Sequence, residues 1–184
     1  MILKTKDITC SLSNEQASWN AIMNGNKVFE VELKYKDINF KGRATRGDDA
    51  VWIPFSKERG IKIIAENDRY ISLEKSLDTA TYIQQVNSDL FPKIYNAWID
   101  QEHLFIEMEN VQNNDSKIRV PRYIPNDHKK YIEDNLVISL EEADFATNEM
   151  FKLSLNPEDE WYKNTNYKSG KVVDFHRFDR KNDR

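Results

Sequence analysis

The chain is nearly devoid of cysteine, with Cys10 as its single thiol. One cysteine excludes an internal disulfide framework and a cysteine-built zinc site. Cys10 is therefore read as a small buried hydrophobe. Histidine is almost as scarce: His103, His128 and His176 share no metal-ligand spacing and are read as surface or turn residues. No window approaches the ~18 consecutive apolar residues of a membrane helix, and the opening MILKTKDITC holds no long apolar run. The expectation is no signal peptide, no membrane partner and a cytoplasmic location. A nucleophile elbow with its Ser-His-Asp companions is missing, as is a lysine-bearing P-loop, so hydrolase and P-loop readings find no footing. Repeats and low-complexity tracts are absent too. The formal net charge of −4 speaks against a dedicated nucleic-acid binder.

What the sequence does have is bulk and balanced charge. Hydrophobic residues make up 39% of its 184 positions and charged residues 32%, a globular composition. The length allows one domain with two small lobes. The tryptophans Trp19, Trp52, Trp98 and Trp161 fall in separate elements and are read as core, not as a base-stacking platform.

Local patterns divide the chain. Residues 13–25, SNEQASWNAIMNG, read as a short helix with Ser13 and Gln16 as a capping box and Gly25 at its end. Residues 27–35, KVFEVELKY, and 38–42 read as strands. AVWIPF at 50–55 and GIKIIA at 60–65, separated by SKER, read as a hairpin. In 72–87, Leu73, Leu77, Ala80, Ile83 and Val86 recur at spacings of three and four, which predicts an amphipathic helix capped by Ser72. Residues 93–98 and 104–108 read as strands around the polar turn IDQEH. A polar segment follows Asn110. Helical character returns at 127–135 and 140–153, KVVDF at 171–175 reads as a short buried strand, and the tail HRFDRKNDR reads as loose. The fold class is α+β, a mostly antiparallel front half and a more helical back half joined near residues 109–114.

Phosphoryl transfer asks for charge neutralisation, oxygen ligands for magnesium, and a base beside the incoming hydroxyl. Asp159 is followed by Asn164 in D-E-W-Y-K-N, and after KSGKVV comes Asp174-Phe175. This resembles the protein-kinase catalytic segment, in which D-x-x-x-x-N precedes a strand ending in Asp-Phe-Gly. Gly60-Ile61-Lys62-Ile63-Ile64 resembles the strand that carries the kinase nucleotide lysine. Gly42-Arg43-Ala44-Thr45-Arg46-Gly47, then Val51, resembles a degenerate glycine-rich loop. LFIEMENV at 104–111 resembles the strand and hinge that hold adenine. The resemblance covers about residues 39–178 and implies a two-lobed protein-kinase-like fold: an antiparallel-sheet N-lobe over 1–110 with one main helix, and a reduced helical C-lobe over 111–184. It is similar to the minimal kinase folds of bacterial effectors and phage proteins.

The resemblance also implies roles. Lys62 would hold the α- and β-phosphates of ATP, with Gly42, Gly47 and Val51 around the nucleotide. Met108 would be the gatekeeper, and the Glu109 carbonyl and Val111 N–H would meet the adenine edge. Asp159 would be the catalytic base and Asn164 and Asp174 the magnesium ligands. The acceptor would be a protein hydroxyl, in a bacterial, phage-infected or host cell. Either Asp78 or Glu74 would pair with Lys62.

The sequence departs from the kinase pattern at several points. Pro157-Glu158 stand where His-Arg normally precede the base, and His176 stands where the Asp-Phe-Gly glycine belongs. The chain runs nine residues past Phe175, and the expectation is that the activation segment is absent. These departures keep a second reading open, a catalytically inactive pseudokinase that docks a protein partner. A small-molecule kinase is a weaker third. Taken singly, Lys62 also reads as an exposed edge-strand residue, Asp159 as a helix cap or turn, Asn164 as turn chemistry, and Gly42 and Gly47 as turn glycines. Asp174, between two valines and a phenylalanine, is harder to read without a partner or a metal.

Overall fold

The computed structural model describes residues 2–4, 8–12, 28–46, 50–65, 72–111, 152–153, 155–156, 171, 175 and 178–180. The chain divides into two compact units, Met1–Glu74 with Tyr95–Asn110, and Lys75–Ile94 with Val111–Arg184. The architecture is α+β.

The first unit is built on an antiparallel sheet. Its strands are β1 (Ile2–Lys4), β2 (Ile8–Leu12), β3 (Val28–Tyr35), β4 (Ile38–Arg46), β5 (Ala50–Ile53), β6 (Arg59–Ala65), β7 (Ile94–Asp100) and β8 (His103–Glu109). They lie in the order β1-β2-β3-β4-β5-β6-β8-β7. In β3 the alternation of Val31, Leu33 and Tyr35 with charged residues puts one face in the core and one in water. On the wet face Lys41 pairs with Glu32 at 2.6 Å and Arg43 with Glu30 at 3.2 Å. The core face gathers Cys10, Leu33, Val51, Ile53, Ile61 and Phe105 into one apolar cluster. The sheet curls over it, so that Tyr35 stacks on Trp98 of β7 at 5.7 Å although β4, β5 and β6 stand between β3 and β8.

Turn chemistry fixes the register. Ser56 closes the β5–β6 connection: its hydroxyl accepts from the N–H groups of Glu58 and Arg59 at 3.2 and 2.9 Å. Gln101 and Glu102 join β7 to β8 with positive φ angles of 47° and 60°, a left-handed pair that matches the twist of a hairpin. The strands expected at 27–35, 93–98 and 104–108 and the hairpin around SKER are all present. β4 runs four residues beyond its expected end at Gly42, to Arg46. β1 and β2 were not anticipated from the opening residues.

The helix α1 (Leu73–Val86) forms where the apolar spacing predicts it. Its buried stripe is Leu73, Ser76, Thr79, Ala80 and Ile83, while Leu77 and Val86 are only half-buried. The stripe is rotated from the expected one because Thr79 is buried: its hydroxyl donates to the Phe178 carbonyl at 2.9 Å. Asn87 ends the helix with φ 48°, its N–H returning to the Ile83 carbonyl.

In the second unit, Phe91 meets Phe175 and Phe178 edge-on, with ring centroids 5.9 and 6.3 Å apart. β9 (Leu155–Asn156) pairs antiparallel with β10 (Asp179–Arg180). The expectation of a loose tail is corrected for residues 178–180: Phe178 is 2% exposed, and the burial of its ring outweighs the charge around it. The helices expected at 13–25 and 127–135 lie outside the described residues, as does 140–153 apart from its last two. Of 171–175 only Lys171 and Phe175 are described. Neither belongs to a strand, and Phe175 is buried.

Candidate functional site

Lys62 stands on β6, an interior strand flanked by β5 and β8. It is 7% exposed, which rules out the reading of an exposed edge residue. Both faces of β6 and of β8 are buried along five consecutive positions. Burying an ammonium carries a desolvation cost that leucine or isoleucine would not, so this position calls for compensating negative charge.

Pairing register decides what shares the Lys62 face. Directly opposed residues in an antiparallel pair point to the same side. Lys62 opposes Trp52 on β5 and Ile106 on β8, and Gly60 opposes Met108. Lys62, Gly60, Trp52, Ile106 and Met108 therefore lie on one face. Trp52 leans onto Gly60: a Cβ at position 60 would sit 2.4 Å from the indole Cη2 and Cζ2. Trp52 Nε1 is buried and has no hydrogen-bond partner.

The opposite face holds a buried carboxylate. Glu107 opposes Ile61 and is 4% exposed. It accepts from the Tyr35 hydroxyl at 2.8 Å, from Arg59 at 3.3 Å and from Lys36 at 3.4 Å. The Arg59 guanidinium also lies 3.9 Å from the Tyr95 ring centroid. Burial raises the Tyr35 hydroxyl above its ordinary range, and the neighbouring Tyr35 hydroxyl and Glu107 charge raise Lys36. The segment EMEN is thus split by alternation, with Met108 on the lysine side and Glu107 on the core side.

The remaining expected residues are distributed as follows. Val51 opposes Ile63 and is wholly buried in the core cluster, on the face away from Lys62. The β5 residue beside Lys62 is Trp52. Gly42 lies within β4 opposite Val31, its vacant side filled by the Phe40 ring. Gly47 lies outside the described residues. Glu109 opposes Arg59 at the end of β8. Asn110 is tied back to the β5–β6 connection, its N–H to the Glu58 carbonyl at 2.7 Å and its side-chain amide to the Ser56 carbonyl at 2.9 Å. Val111 is buried and begins the second stretch of the other unit. Glu74 and Asp78 are exposed on α1, and Glu74 accepts a 3.3 Å hydrogen bond from Ser72.

Asp159, Asn164 and Asp174 lie outside the described residues. Among the described residues no three His, Cys, Asp or Glu side chains are grouped to hold a metal, and no helix is long and apolar enough to cross a membrane. The sequence did not reveal that Trp52 and Gly60 share the Lys62 face, or that Tyr35 and Arg59 meet Glu107. The available signal was parity: once β5 and β6 pair around SKER, Trp52 and not Val51 falls opposite Lys62.

No protein-family model matches the chain, and no curated protein matches it.

Proposed function

We propose that the chain is an ATP- and magnesium-dependent phosphotransferase with a minimal, two-lobed protein-kinase-like fold, acting on a protein hydroxyl in a cytoplasm. The observation that carries this reading is the path of the chain through the sheet. Three antiparallel strands in sequence, β4, β5 and β6, are followed by α1 and then by β7 and β8, with β8 beside β6 and β7 outermost. That path sets the lysine strand next to the hinge-like strand, with Lys62 and Met108 on one face. Lys62 would neutralise the phosphates. Asp159 would take the proton of the acceptor hydroxyl as its oxygen bonds to the γ-phosphorus and the bond to ADP breaks. Asn164 and Asp174 would hold magnesium, which supplies further neutralisation of phosphate charge.

A second reading, a pseudokinase docking module, is favoured by two details. Gly42 is a strand residue inside β4, and Val51 points away from Lys62. Neither contributes to a phosphate-covering loop on the lysine face.

Transfer of radiolabel from γ-labelled ATP to protein in a host extract, with wild type and Asp174→Ala, separates the two. Labelling by wild type and none by Asp174→Ala supports the enzyme. Equal labelling, or none by either, removes catalysis from the account. A thermal shift with Mg–ATP then decides whether the docking module still binds nucleotide, since a ligand at 100 times its dissociation constant stabilises by about 2.7 kcal/mol.

A further inference from the structure

We propose that the flank of β4 over residues 38–43 is a docking edge for an extended, acidic segment of a protein partner, a role separate from the nucleotide site. β4 spans Ile38–Arg46 but pairs with β5 only through Thr45 and Arg46. Continuing that register would set Pro54 against Arg43, where proline has no N–H to give the ladder, and β5 ends at Ile53. Among the described residues, nothing pairs with 38–43 on that side. Opposed residues of an antiparallel pair alternate between exchanging both backbone bonds and exchanging none. The two-residue turn Lys36-Asp37 sets the phase, with Tyr35 and Ile38 as the bonded pair that flanks it. Phe40 and Gly42 therefore bond to β3, while Asn39, Lys41 and Arg43 turn N–H and C=O to the open flank. The side chains beside that flank have two characters. Asn39, Lys41 and Arg43 are exposed on the wet face. Lys41 and Arg43 hold Glu32 and Glu30 in exposed pairs, which cost little to rearrange. On the other face Ile38 and Phe40 pack on the core cluster yet stay half-buried, and the Phe40 ring lies over Gly42. A strand added here meets cations on one face and an apolar strip on the other, so it is matched by alternating acidic and apolar residues. The same cations disfavour a second copy, because antiparallel pairing of two β4 strands would set cation against cation or against Asn39.

The test is fluorescence anisotropy of the full chain with labelled peptides. One alternates Glu and Val, one alternates Lys and Val, and the third is the Glu–Val peptide N-methylated at its glutamates, the residues that would exchange bonds with Asn39, Lys41 and Arg43. Wild type is expected to bind the Glu–Val peptide about tenfold or more tighter than the Lys–Val peptide, attraction having given way to repulsion. A similar margin, about tenfold or more, is expected over the methylated peptide, which has lost its backbone donors. Asn39→Pro removes an N–H that faces the flank and leaves the bonds to β3 whole. It is expected to weaken the Glu–Val peptide about fivefold or more. In wild type the Glu–Val peptide is also expected to slow hydrogen exchange at the amides of Asn39, Lys41 and Arg43, a readout that stands even if Asn39→Pro does not fold. Absence of binding, equal binding of the acidic and basic peptides, undiminished binding of the methylated peptide or by folded Asn39→Pro, or unchanged exchange at those amides overturns the proposal. So does a dimer of the chain alone that Asn39→Pro dissolves, since the edge then serves a second copy.

Discussion

The Tyr35 hydroxyl donates a 2.8 Å hydrogen bond to Glu107 across 72 residues of sequence, joining the end of β3 to the middle of β8. The bond closes the curled sheet on its core side, and Arg59 and Lys36 complete the neutralisation of the buried carboxylate. Tyr35→Phe removes the donor and leaves a buried acceptor short of a partner. The expected loss is about 1–3 kcal/mol of unfolding free energy, read from urea denaturation. Lys41→Ala, which breaks an exposed pair with Glu32, is expected to leave the urea midpoint unchanged.

Cys10 gives the fold an alkaline limit. Burial pushes its thiol from 9.0 up to about 12. The folded pKa lies above the unfolded one, so the contribution is fully present below about pH 9 and is lost as pH rises toward 12. Tyr35, also raised by burial, acts in the same direction. In Cys10→Ala the fall in stability between pH 9 and 12 is expected to be shallower, by up to about 1.4 kcal/mol per pH unit. An identical slope in both proteins speaks against a buried neutral thiol. Native Cys10 is likewise expected to resist thiol reagents that modify it at once in urea.

The β7–β8 turn places two non-glycine residues in the left-handed region. Replacing Gln101-Glu102 with Asn-Gly supplies residues suited to that conformation. A gain of about 0.5–1 kcal/mol and a raised Tm are expected; a fall in Tm would show that the turn is held in another way.

Phe178 is held by its contact with Phe91 and by the hydrogen bond from Thr79. Phe178→Ala is expected to cost about 3–5 kcal/mol, as for other buried phenylalanines. A change within about 0.5 kcal/mol is the outcome of a loose tail.

Much of the first unit was legible because its signals are local. The alternation in β3, the SKER turn and the three-and-four spacing of α1 each depend on a few neighbouring residues. What escaped depends on distant ones. Thr79 looks like a solvent residue on a helix until Phe178, 99 residues away, supplies its acceptor. Glu107 looks like surface charge within EMEN until Tyr35 curls over it. The lysine and the strand beside it were legible in the sequence. The side on which Val51 lies was not, because choosing between neighbours on a strand requires the pairing register, which places Val51 opposite Ile63 and Trp52 opposite Lys62.

The most direct measurement of the central claim is calorimetric titration of Mg–ATP into wild type and Lys62→Met. Methionine is nearly as long as lysine and carries no charge, and the urea midpoint of the variant establishes that it is folded before the titration. The expected result is saturable one-to-one binding by wild type, weakened at least tenfold (about 1.4 kcal/mol) in Lys62→Met. No heat of binding from wild type, or equal affinity in the folded variant, would contradict the assignment of a nucleotide site to the Lys62 face.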